Sequence, residues 1–298
     1  MYAAITSLLD MKNIPWIFLI ALILLASLLS AQSGWIKEKG ALYAQSGFFA
    51  FSSRNYYNID GLLLNEGGAI STRIFSVYGE YGLSSRVTMA GNFPWLVQNK
   101  FSTSNTVSGV GDIRLDLRYG INQQKLPISF AIGVELPTGK KNLLATAKEP
   151  NAFGVVERIN LPTGDGEWNL LATVAVSRSF WAGRGYGSAF STYNLRTQNY
   201  SGQVRLGLEL GAQPFSGLWV FGKLFTQLKG LEGSSNDLSF FRAEGTTFTQ
   251  LSFGGQYMVL QQWGVTASFF LPVNNFVTEF KNIYTAPAFS LGLVYQSK

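Results

Sequence analysis

Hydrophobic and polar residues alternate with period two along most of this chain. The clearest stretch is Asp112-Ile113-Arg114-Leu115-Asp116-Leu117-Arg118-Tyr119-Gly120-Ile121. A helix would scatter its charges around the circumference. A strand puts Ile113, Leu115, Leu117 and Tyr119 on one face and Asp112, Arg114, Asp116 and Arg118 on the other. The pattern recurs at 203–212, where Arg205 and Glu209 oppose leucines, and at 128–136, where Glu135 shares a face with Ser129, Ala131 and Gly133. Twelve such strands are predicted, near 41–53, 72–83, 86–97, 111–121, 127–136, 167–181, 185–197, 201–214, 218–229, 245–260, 264–274 and 286–297. Most reach the roughly 9–11 residues that a membrane strand needs.

The connections are sorted by length. Tight turns follow strands 2, 4, 6, 8 and 10, and longer loops follow strands 1, 3, 5, 9 and 11. The longest loop runs from Pro137 to Gly166, and only the link after strand 7 breaks the rule. Short turns on one side and long loops on the other mark an outer-membrane barrel, whereas a soluble β-sandwich has no reason to sort its loops. Trp95, Trp168, Trp181, Trp219 and Trp263 lie at strand ends, where interfacial aromatics belong. The predicted fold is therefore all-β: a transmembrane antiparallel up-and-down barrel of about 12 strands, preceded by an N-terminal signal helix.

The one long apolar run is Ile14 to Leu29, with Lys12 before it and Ser30, Ala31, Gln32, Ser33 and Gly34 after it. Positive, apolar, then small is the order of a secretory signal peptide. This run of 16 residues falls short of the roughly 20 of a spanning helix. Residues 1–33 are read as a signal peptide, cleaved after Ser33 or Ala31, with Met11 as the natural start, and 34–298 as one barrel domain.

Composition narrows the chemistry. Charged residues make up 13% of the chain, about half the usual share of roughly 25%. There are 0 Cys and 0 His, so disulfides, thiol nucleophiles, a Ser-His-Asp triad and histidine metal sites are excluded. Enzyme function is not expected, and no cofactor is implied. The net charge of +6 is spread along the chain without a basic aromatic stripe, so no nucleic-acid partner is expected.

Gly109-Val-Gly111-Asp112 opens the strand that runs to Tyr119, and the next strand ends in Glu135-Leu136-Pro137-Thr138-Gly139. This arrangement resembles the Gram-negative outer-membrane barrels of the "MetA-pathway of phenol degradation" family. The resemblance implies an outer-membrane channel or transporter for small compounds, including apolar or aromatic ones, with no defined substrate. Gly109-x-Gly111 is no nucleotide fingerprint, because Arg114 replaces the third glycine and a strand follows. Ser290-Leu-Gly292 to Tyr295 is similar to the C-terminal signal read by the outer-membrane assembly machinery.

In a barrel the polar face is the lumen. Asp112, Arg114, Asp116, Arg118, Glu135, Arg205, Glu209, Glu80, Arg86 and Lys223 are the lumen-facing candidates. They could select permeants or fill and stiffen the interior; twelve strands leave both open. Lys140, Lys141, Lys148, Glu149, Glu157 and Arg158 sit in the longest loop, which is either an inward-folded lid or a solvated surface loop. The usual behaviour of loops favours the surface. Expected partners are outer-membrane lipid and lipopolysaccharide, the assembly machinery and a small-molecule permeant. The alternative function is a plugged barrel whose loops bind a partner.

Overall fold

A computed structural model describes residues 32–65, 68–233 and 244–297. The predicted signal helix lies outside the described residues. Twelve antiparallel strands follow one another around a closed barrel: β1 (Leu42–Ser53), β2 (Ile70–Gly82), β3 (Val87–Phe101), β4 (Ile113–Asn122), β5 (Ile128–Leu136) and β6 (Asn169–Phe180). The second half continues with β7 (Gly185–Arg196), β8 (Gln203–Phe215), β9 (Leu218–Lys229), β10 (Phe248–Met258), β11 (Trp263–Pro272) and β12 (Ala288–Gln296). Each pairs with its sequence neighbours, and β1 pairs with β12 to close the cylinder. Closure removes every sheet edge, which is what backbone polar groups require in hydrocarbon.

The period-two pattern decides which side chains point out. Leu117 is 53% exposed while its neighbour Arg118 is 6% exposed. Leu115, Ile132, Val174, Leu208 and Phe253 share the exposed side, and buried Ser129, Thr173, Thr192 and Ser252 line the inner wall. This inverts the order of a soluble protein and gives the exterior the character of a lipid-facing surface.

The third strand runs four residues beyond its predicted end. Its outer part pairs with Val107–Gly109, and a register shift opposite Phe75–Val77 accommodates Pro94. Proline has no N–H for the ladder, so it sits at an irregularity. The Pro94 carbonyl instead accepts the Gly111 N–H at 2.7 Å.

At the long-loop end, two small pieces cover the opening. Tyr56–Tyr57 pairs with Leu63–Leu64 and with Ile283–Tyr284. A hairpin of Leu144–Thr146 and Arg158–Asn160 lies beside them. Ala145 and Leu161 pack on Ile70 and Phe101, with Phe51 and Tyr284 at the edge. The base of the longest loop thus folds inward as a lid, while its charged residues Lys140, Lys148, Glu149, Glu157 and Arg158 stay exposed, as the surface reading expects. Ala145, Ile159 and Leu161, between the charged positions, carry that packing.

Candidate functional site: the lumen

The charged side chains inside the barrel form three groups. The first lies toward the short-turn end. Tyr78 Oη donates to Glu80 Oε1 at 2.6 Å, and Arg118 Nη1 lies 3.3 Å from the same oxygen. Arg114 grips Asp116 through Nε and Nη2, both at 2.8 Å. The pairing is two-pronged, which gives a guanidinium–carboxylate contact its strength and its fixed geometry. On the opposite wall Tyr186 Oη donates to Glu209 at 2.6 Å, and Lys223 lies 3.8 Å from Glu209 and over the Phe190 ring.

Residues 32–37 complete this group, because they run inside the barrel before the exposed turn at 38–40 leads into β1. The Ser33 carbonyl accepts from Ser129 Oγ at 2.8 Å, and Gly34 N–H donates to Ser177 Oγ at 2.8 Å. Gln123 brackets the segment, accepting from Ile36 N–H and donating to the Gly34 carbonyl. Lys37 N–H donates to Thr88 Oγ1 at 2.8 Å, and its ammonium lies 3.7 Å from Glu80. Trp35 meets Tyr186 edge-on across the lumen. A side chain at position 34 would collide with the Pro127 carbonyl and the Ser177 backbone, so Gly34 permits the close approach. Beside this segment, the gap among Gln32, Ser33, Tyr78, Arg114, Asp116 and Arg118 holds only about 10 Å³. One water needs roughly 10–15 Å³, so the segment packs against this part of the wall with no room for more than about one water between them.

The second group is the corner around Asp112. Its Oδ1 accepts the Gly139 N–H at 2.9 Å and its Oδ2 the Asp165 N–H at 3.0 Å. Thr138 Oγ1 donates to the Gly111 carbonyl and accepts from Ile113 N–H. Lys140 N–H donates to Thr163 Oγ1. The two Leu-Pro-Thr-Gly segments thus meet, with Gly139 against Gly164, and Asp112 fastens both ends of the long loop. Carboxylate oxygens of Asp112, Glu135 and Asp165 lie within 4.8 Å of one another.

The third group surrounds a chamber of about 350 Å³ beneath the lid. One side is aromatic: Phe49, Phe51, Phe248 and Tyr284. The other is polar: Glu135, Asn169, Asn194, Arg196, Gln203 and Arg205. Arg196 pairs with fully buried Glu167. Asn194 Nδ2 donates to Asn169 and Gln203, while Arg205 Nη2 donates to Gln203 Oε1 at 2.7 Å and Nε to Gln227 at 3.2 Å. In the lid, Tyr56 Oη donates to Asn282 Oδ1 at 2.5 Å. Burial raises the Tyr56 phenol, and burial followed by its neighbour Tyr56 raises that of Tyr284, so both stay neutral at physiological pH.

Glu80, Arg114, Asp116, Arg118, Glu135, Arg205, Glu209 and Lys223 therefore stand on the inner side of the wall. Arg86 does not. It lies exposed in the turn before β3 and contacts Tyr119 Oη at 3.3 Å, on the outward face. The alternation begins only where β3 begins, at Val87, so it cannot be extended back to Arg86. Asp112 precedes β4 and serves the loop corner. Sequence reasoning missed the inner segment 32–37 and the lid aromatics. The run of small inward residues at Ser129, Ala131, Thr173, Ala175 and Ser177 is the signal of the former, because such a wall leaves room for a chain.

No protein-family profile matches this chain, and no curated protein matches it. Solved structures share its fold. The COG4313 outer membrane channel from Pseudomonas putida F1 superposes with a TM-score of 0.63 at 13% identity, over 91% of this chain and 100% of that one. The translocator domain of autotransporter NalP from Neisseria meningitidis gives 0.51 at 11% identity, over 87% of this chain and 89% of that one. Both similarities identify the architecture as that of outer-membrane β-barrels.

Proposed function

We propose that this protein is an outer-membrane channel for small molecules with an apolar or aromatic body and a polar end. The observation that carries this reading is the two-sided chamber within the lumen, aromatic on Phe49, Phe51, Phe248 and Tyr284 and hydrogen-bonding on Asn169, Asn194, Gln203 and Arg205. Binding sites of this kind combine apolar walls with a few placed polar groups. The likeness in fold to an outer membrane channel, and the motif at 109–139 with its resemblance to the phenol-degradation family, support the same reading. Asp112, Arg114, Asp116, Arg118 and the other inner charges then act as structural ties of the wall and loops as well as the polar lining that a permeant meets.

The chain segment held inside the lumen by Gln123, Ser129 and Ser177 favours a second reading, a plugged barrel that conducts nothing. Proteoliposomes loaded with the protein separate the two. Uptake of naphthol that falls several-fold in Phe248→Ser, and is unchanged in outward-facing Phe253→Leu, supports the channel. A correctly folded barrel that gives neither uptake nor single-channel conductance supports the plug.

A further inference from the structure

The outer wall carries a charge pattern that the channel reading does not use. The strand carboxylates Glu80, Asp116, Glu135 and Glu209 all stand on the inner side. Among the described residues, no strand Asp or Glu faces outward. Arg73 and Lys100 do face outward, near the long-loop ends of β2 and β3. Arg73 lies opposite Gln98, and Lys100 opposite Ser71. The two basic residues are therefore diagonal neighbours, about 7–8 Å apart at the backbone. Side chains of that length can converge on one tetrahedral anion from two sides.

Their depth is fixed by the same strand. Tyr81, Val77 and Phe75 share the outward face of β2 with Arg73. Tyr81 lies eight residues from Arg73, a rise of roughly 20 Å along the normal for a strand tilted near 40°. An apolar band is about 25 Å tall, so extended Arg and Lys side chains reach its outer boundary. Directly below Arg73, Phe75 and Trp95 touch with ring centroids 5.5 Å apart, as an interfacial aromatic girdle would. Polar groups lie beside the pair. Ser52 and Ser71 hydroxyls lie 2.9 Å apart, and Gln98 Nε2 donates to Ser108. No carboxylate pairs with Arg73 or Lys100 among the described residues.

We infer that Arg73 and Lys100 form a binding site for a phosphate of lipid A in the outer leaflet, with Ser71 and Gln98 as additional hydrogen-bonding groups. Two cations without a carboxylate partner, a girdle beneath them and strands without outward acids, among the described residues, match a lipid whose anionic phosphates sit at this boundary. A phosphate monoester carries more charge and more free oxygens than the phosphodiester of phosphatidylglycerol, so two cations converging on it should prefer it at least tenfold. The inference stands independently of whether the lumen conducts.

Native mass spectrometry of the purified, lipopolysaccharide-free barrel tests it, with bisphosphorylated lipid A, phosphate-free lipid A and phosphatidylglycerol as separate probes. The wild type should retain bisphosphorylated lipid A at least tenfold more tightly than either other lipid. Arg73→Gln with Lys100→Gln should lose that preference, whereas Arg73→Lys with Lys100→Arg should keep it. Arg178→Gln, an outward basic residue at the opposite end of the wall, should behave as the wild type. Heat-modifiable migration on gels confirms that each variant is folded. Undiminished retention in the glutamine double variant overturns the inference, as does equal wild-type retention of phosphate-free lipid A. Equal retention of phosphatidylglycerol overturns it too, by reducing the patch to general attraction for anions.

Discussion

Arg114 and Leu115 are adjacent and stand in opposite solvents. Leu115 is 45% exposed on the outer wall, while the Arg114 side chain is 12% exposed and bound to Asp116. Leu115→Arg puts a charge into lipid at a cost of roughly 2–4 kcal/mol. Arg114→Leu leaves Asp116 buried without its two-pronged partner, and losing one member of such a pair costs roughly 3–5 kcal/mol. Both single variants should therefore lower the urea midpoint of the refolded barrel. They differ in rescue. Adding Asp116→Leu to Arg114→Leu removes the stranded charge and should restore most of the stability. Adding it to Leu115→Arg should not help. Equal rescue in both backgrounds would contradict the face assignment. The alternation at 112–121 is enough to tell these faces apart. It does not show that Arg114 and Asp116 pair with each other, since Glu135 and Glu80 offer competing carboxylates whose distances only the closed barrel defines.

At the scale of elements, Asp112 holds the lid by accepting one N–H from each end of the longest loop. Asp112→Ala strands the amides of Gly139 and Asp165 and should loosen the hairpin of Leu144–Thr146 and Arg158–Asn160. Limited proteolysis should then cut between 147 and 157 faster by several-fold, with the strands protected. Unchanged cleavage would mean that Ala145 and Leu161 alone keep the hairpin seated. The strands were legible because lipid on one side and a polar interior on the other impose period two on every residue between them. The lid and the inner segment were not, because neither repeats. The inner segment is held through scattered contacts from Thr88, Gln123, Ser129 and Ser177, four positions remote in sequence from the segment and mostly from one another. Deleting 32–39 removes those contacts and should convert a closed or flickering channel into one of larger, steadier conductance. A deletion variant that folds and still shows no conductance would place the block elsewhere in the lumen.

For the whole molecule, orientation follows from closure. An even number of strands brings Leu42 and Gln296 to one end, and they share that end with the short turns at 83–86, 123–127 and 216–217. In bacterial barrels the short turns are periplasmic and the long loops external, which puts residues 32–41 at the inner mouth and the lid at the outer one. The absence of native Cys makes this directly measurable. Lys148 is exposed in the lid hairpin, and among the described residues its ammonium donates to the Ser102 carbonyl alone, so Lys148→Cys disturbs one side-chain hydrogen bond there. Gln124 is exposed in the β4–β5 turn. An impermeant maleimide on intact cells should label Lys148→Cys and leave Gln124→Cys unmodified, and permeabilising the outer membrane should make both reactive. The same orientation sets Arg73 and Lys100 in the external leaflet, where lipid A lies, and Arg178 in the periplasmic one. Labelling of Gln124→Cys on intact cells would invert all of these assignments together, since one barrel axis fixes them.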